Sequence, residues 1–94
     1  MTSKQRAALR SLANTIDTIL QVGKSGITDT LIKQVDDALT ARELIKIKVL
    51  ETAPFNQKET ANMIAEKTNS EVVQVIGTKI VLYRINPEDN KIKI

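Results

Sequence analysis

Leu9, Leu12, Ala13 and Ile16 recur at helical intervals near the start of the chain, while Lys4, Arg6 and Arg10 occupy the positions between. This pattern predicts an amphipathic helix over about Ser3 to Asn14, opened by a capping box of Thr2 and Gln5. "TILQV", Thr18 to Val22, is a short β-rich run that enters Gly23. Thr28 then suits an N-cap, with Asp29 in the first turn to match the helix dipole. Leu31, Ile32, Val35, Ala38 and Leu39 mark one face of a second helix reaching about Arg42. In "ELIKIKVLE" the side chains alternate, with Ile45, Ile47 and Val49 on one side and Lys46 and Lys48 on the other. That is a half-buried strand.

Pro54 ends the strand region, and Asn56 with Glu59 resembles a capping box for a third helix. Its inner stripe is Ala61, Ile64, Ala65 and Thr68. "EVVQVIGTKIVLYR" places two β-branched runs around Gly77-Thr78, which predicts a type II′ hairpin. Both runs are apolar on both sides, so both hairpin faces are expected to be covered, with Tyr83 in or near the core. Residues 87–94 read as a frayed polar tail behind a single domain over residues 1–86. The order helix–strand–helix–strand–helix–strand–strand gives an α/β (α+β) domain with a small mixed four-stranded sheet packed by helices. Each strand–helix–strand passage is expected to be a right-handed crossover between parallel neighbours, and the last pair an antiparallel hairpin.

Composition narrows the chemistry. The 94 residues include no Cys and no His, which removes thiol and imidazole nucleophiles and the usual neutral-pH proton shuttle. Asp36 and Asp37 are adjacent on a helix, point apart, and read as solvated surface charges rather than metal ligands. An enzyme, a metal site and a bound cofactor are therefore not expected. No apolar run approaches the roughly 20 residues that span a membrane. The N-terminus lacks an apolar signal region, and the cytoplasm is the expected compartment.

Charge is unevenly placed. Residues 1–50 hold eight basic and five acidic side chains, and residues 51–94 hold six of each, so the whole excess of +3 lies in the first half. Lys4 and Arg6 add a detail, because bases in the first turn of a helix oppose its dipole. Both features suit a polyanionic partner, and both also occur on ordinary solvated surfaces.

"VGKSGIT", Val22 to Thr28, is where these readings meet. A Walker-type loop needs a glycine five positions before Gly-Lys-Ser, where this chain has Thr18, and a dinucleotide fingerprint needs a third glycine. Neither nucleotide motif is present. Two readings remain, a plain strand-to-helix turn and a phosphate cradle. For the cradle, unpaired amides of the loop and helix start lie at the positive end of a dipole, with small Gly23, Ser25 and Gly26 and the cation of Lys24. With Phe55 and Tyr83 the only aromatic residues, base stacking cannot dominate, and structured RNA read through its backbone is the fitting polyanion.

"LRSLAN", "VGKSGIT", "ALTARELIKIKV" and "VQVIGTKIVLYR" run in this order along the chain. Together they resemble the CRM domain (chloroplast RNA splicing and ribosome maturation), in its stand-alone bacterial, YhbY-like form. The "APFNQKE" connection and the short tail depart from the pattern. The resemblance implies a fold similar to the C-terminal domain of translation initiation factor three. It also implies RNA contact by a GxxG loop, here Gly23, Lys24, Ser25 and Gly26 followed by Thr28. Single-domain bacterial relatives are associated with precursors of the large ribosomal subunit, so ribosomal RNA is the implied partner. Flanking contacts are expected among Lys4, Arg6, Arg10, Arg42, Lys46, Lys48, Lys79 and Arg84. Lys46 and Lys48 have an alternative role, keeping a sheet face soluble and guarding an edge. Substituting Lys24 with Ala, or Gly26 with a bulky residue, is expected to spare folding and weaken RNA binding. The competing reading is a protein–protein interaction module; a small nucleotide enzyme is disfavoured by the missing motif elements.

Overall fold

Each helix starts on a side-chain cap visible in the sequence. A computed structural model describes all 94 residues. In it the elements run α1 (Ser3–Ala13), β1 (Thr18–Val22), α2 (Asp29–Arg42), β2 (Leu44–Val49), α3 (Gln57–Thr68), β3 (Glu71–Ile76) and β4 (Lys79–Tyr83). The Thr2 hydroxyl accepts from Gln5 N–H at 3.1 Å, and the Gln5 side chain accepts from Thr2 N–H at 2.9 Å. Asn56 and Glu59 repeat this reciprocal pair at α3, and Thr28 caps α2 by accepting from Leu31 N–H at 3.1 Å. Such caps satisfy amides that would otherwise face solvent unpaired. Asn69, in the left-handed region at φ 58°, ends α3.

The sheet order is β1-β2-β4-β3. β1 runs parallel to β2, and β4 is antiparallel to both β2 and β3. The first crossover therefore joins parallel neighbours as expected. The second does not: β3 runs in the direction of β2, but β4 lies between them. Burial explains the insertion. Ile80, Val81, Leu82 and Tyr83 are all buried, so β4 needs cover on both faces and takes an interior position, while Val75 and Ile76 of β3 stay exposed at the edge. Only the β4 half of the hairpin is covered on both faces. Gly77, at φ 57°, supplies the positive φ that the first position of the II′ turn requires.

Each face of the sheet has its own apolar cluster. α2 and α3 cover one, where Leu31, Val35, Leu39, Ile64 and Ala61 meet Ile45, Ile47, Ile80 and Leu82. α1 covers part of the other, with Leu9 and Ala13 on Leu44, Val73, Val81 and Tyr83. Ile47, Ile64, Ile80 and Leu82 are fully buried, and each contributes roughly 1.5–3 kcal/mol by leaving water. Arg6 reaches from α1 to the edge strand, donating to the carbonyls of Val72 and, at 3.3 Å, Val73. The β3–β4 register shifts between Val72 and Gln74, so Arg6 binds carbonyls at the irregular segment of β3.

The segment after Ile85 is not a frayed tail. The side chain of Glu43, wholly buried, draws it in. Glu43 Oε2 accepts from Asn86 N–H at 2.7 Å and from the Asn90 side chain at 2.8 Å. Oε1 accepts from Lys91 N–H at 2.6 Å and Ile92 N–H at 2.8 Å, and Ile92 packs on the α1-side cluster. Burial alone raises a carboxyl pKa, but these four donors outweigh it and hold Glu43 down from 4.5 to about 2. Burial, reinforced by the Glu43 charge, raises the phenol pKa of Tyr83.

A depressed folded-state pKa contributes stability that is complete above the unfolded value and disappears as pH falls through the folded one. Stability should therefore fall between about pH 4.5 and pH 2, with Glu43 accounting for about 3 kcal/mol of the loss. Glu43→Gln should be less stable at neutral pH and lose less across that acid window. Denaturant unfolding at a series of pH values measures both; parallel acid profiles for the two proteins would contradict this account of the tail anchor.

Candidate functional site

Parallel pairing puts the C-terminal ends of β1 and β2 side by side, with Gln21 opposite Lys48 and Val22 opposite Val49. The antiparallel step to β4 brings Lys79 opposite Lys48, so the start of β4 and the Gly77-Thr78 turn share that end. The VGKSGIT loop leaves β1 there. One end of the sheet thus gathers the loop, Lys48 and Lys79, with Lys46 one pleat behind.

The loop is a closed turn rather than an open flap. Gly26 N–H donates to Gly23 C=O at 3.0 Å, leaving Lys24 and Ser25 exposed at the tip. The amides of Lys24, Ser25, Ile27 and Thr28 donate to no acceptor in the chain. Those of Asp29 and Thr30 precede any intrahelical acceptor. The positive end of α2 therefore meets a short run of free donors, an arrangement suited to anionic oxygens. The Gly26 amide, expected among these donors, is used by the turn itself.

The two glycines have different reasons. Gly26 is buried at φ 67°, and a β-carbon there would stand 2.9 Å from Pro54 Cγ. Its smallness admits the β2–α3 connection, not a ligand. A bulky residue at Gly26 thus disturbs the fold, contrary to the expectation from sequence. At Gly23 a β-carbon would meet Leu50 Cδ1 at 3.7 Å and the Thr52 hydroxyl at 4.0 Å, both ordinary contacts. Pro54 lies in the "APFNQKE" connection that departs from the resembled pattern, and beyond ending the strand region it closes against the loop glycine.

Lys24, Lys46, Lys48 and Lys79 have no carboxylate within salt-bridge distance. Lys24 and Lys79 are exposed, Lys46 and Lys48 half-buried. The other candidate bases separate from this cluster. Arg6 is occupied by the β3 carbonyls. Arg84 donates to Asp36 Oδ1 at 2.6 Å, Asp36 C=O at 3.0 Å, the Thr40 hydroxyl at 2.9 Å and Thr68 C=O at 2.8 Å. It clamps α2, α3 and the end of β4, and Asp36 is its partner rather than a free surface charge. Arg42 sits just before β2, at the opposite end of the sheet from the loop. Lys4 and Arg10 are exposed on α1 without ion-pair partners. Asp37 pairs with Lys33 at 3.5 Å. No group of three or more acidic side chains is placed to hold a metal ion, and no helix is long and apolar enough to cross a membrane.

The CRS1 / YhbY (CRM) domain family matches residues 1–84. Over its full 94 residues the chain is 42% identical to "Probable RNA-binding protein YqeI" of Bacillus subtilis, covering 98% of that protein. An "RNA-binding protein" of Haemophilus influenzae is 32% identical over 88 residues, which cover 94% of this chain and 89% of that one. The solution structure of the hypothetical protein SAV1595 from Staphylococcus aureus superposes with a TM-score of 0.84. It is 50% identical, and the match covers 100% of this chain and 98% of that one.

The unequal glycines can be tested by stability alone. Gly26→Ala should cost about 1–2 kcal/mol, from positive φ and the Pro54 contact. Gly23→Ala should stay within about 0.5 kcal/mol of the parent. Thermal or denaturant unfolding of the two variants checks the order, and equal losses would overturn it.

Proposed function

The chain belongs to the CRS1/YhbY (CRM) domain family, and from that membership we propose a non-enzymatic RNA-binding protein of the cytoplasm. It docks on structured ribosomal RNA during assembly of the large subunit. The observation that carries the reading is the loop end of the sheet, where free amides and an unpaired Lys24 stand together at the start of α2. Backbone amides and a lysine hold phosphate oxygens without reading bases, and such contacts fix position rather than sequence. The relatives' printed names support RNA as the polyanion. The ribosomal part follows the resemblance to single-domain bacterial members, a likeness that extends over nearly the whole length of YqeI.

In this mechanism the turn closed by Gly26 and Gly23 presents the tip as a preformed cradle. The Lys24 charge draws the backbone in, and the helix dipole favours negative charge at the same place. Tyr83 is buried, and Phe55 is the only exposed aromatic ring, so there is no stacking platform. Recognition depends on the shape of the RNA backbone.

Lys24→Ala removes one unpaired exposed charge, so stability should stay within about 0.5 kcal/mol while affinity for a large-subunit RNA fragment drops about tenfold. The dependence of log affinity on log salt should also flatten by about one. Electrophoretic titration at several salt concentrations reads both quantities. Unchanged affinity and slope would take the loop out of the binding site.

A further inference from the structure

Lys48 in β2 and Lys79 in β4 are direct cross-strand partners. Side chains so opposed share a face, with β-carbons about 5 Å apart, and like charges in that position destabilise a sheet. Lys46, two residues earlier on β2, shares the face and stands opposite Val81. Val81, Leu44 and Tyr83 lie under α1, so the three lysines extend the α1 face of the sheet toward the loop end. Gln21, opposite Lys48, and Gln74, opposite Val81, flank them.

Guarding an exposed edge does not explain these lysines. The edges are β1 and β3, whereas β2 and β4 are the two interior strands. Nor does internal pairing, since every ion pair in the chain lies elsewhere. A sheet face selected for stability would oppose Lys48 with an acid. Here two cations face each other, and nothing in the chain neutralises them.

We propose that this face is a second phosphate-binding surface, resting on the RNA-binding reading above. The RNA backbone held at the loop continues across β1, β2 and β4, and its phosphates supply the countercharge for Lys46, Lys48 and Lys79. Gln21 and Gln74 add amide groups that suit phosphate oxygens and sugar hydroxyls. The face offers polar and cationic groups and no stacking ring, so it takes a sugar-phosphate backbone rather than splayed bases.

Lys79→Glu separates this proposal from a solvated-charge account, because its two effects have opposite signs. An acid opposite Lys48 should raise the melting temperature by a few degrees. The same change should weaken binding of a large-subunit RNA fragment at least tenfold. Lys48→Gln with Lys79→Gln should also melt higher, and should lower the salt slope of binding by about two. Wild-type protein and Lys24→Ala are measured alongside. If wild type fails to bind RNA, or Lys24→Ala binds as wild type does, the loop reading is what fails. If both controls behave and the sheet-face variants bind like wild type, this proposal is overturned and the loop reading stands. Variants that weaken binding but melt lower also overturn it, because the cross-strand repulsion would then be absent.

Discussion

The parallel register of β1 against β2 decides where the chemistry of this domain sits. With Val22 opposite Val49, the glycine loop must leave the sheet beside the end of β2. Inserting β4 against β2 then carries the hairpin turn and Lys79 to the same end. No loop–hairpin contact is needed for this assembly. It follows from backbone hydrogen bonds and from four consecutive buried side chains in β4, which require an interior strand. Slipping a strand by one residue would send Ile45, Ile47 and Val49 to the lysine face, so the register that builds the core also assembles the candidate site.

The two ends of the sheet differ in how their charges are met. Away from the loop, Glu43 receives four donors and Arg84 binds two side chains and two carbonyls. Each is fixed and mostly shielded, which is how charge is tolerated inside a domain. At the loop end, cations and amides are left without partners inside the chain. Local consistency is the rule in a folded sequence, and its failures concentrate where a molecule works. The contrast is sharp because the same 94 residues show both treatments.

Helices, strands, caps and the hairpin turn were legible in the sequence because each depends on residues a few positions apart. The Thr2–Gln5 and Asn56–Glu59 pairs and the positive φ of Gly77 are of this kind. The resemblance on the loop and hairpin segments likewise pointed to the right family. What escaped was non-local. Arg84 meets Asp36 across 48 positions and Arg6 meets Val72 across 66, so two bases expected among the flanking RNA contacts have partners inside the chain. The tail read as frayed because "NPEDNKIKI" is polar, yet its amides serve a carboxylate more than forty residues earlier. A signal existed for β4: "KIVLY" is the most continuously apolar run of the hairpin, and such runs belong inside a sheet.

Pro54 gives the loop a property that its own sequence does not announce. A GxxG segment read alone suggests mobility, since glycine is the most permissive residue. In the folded chain, Gly26 has lost that freedom to the turn hydrogen bond and to the proline ring against it. A ligand that met a mobile loop would have to order it, at about 1–2 kcal/mol for each residue fixed. Folding has already met that cost here, so under the proposed reading more of the contact energy with a polyanion would appear as affinity. The loop is then best understood as a rigid display of donors. Its glycines matter first for fitting the chain together at the end of β1, and through that for what the exposed tip can hold.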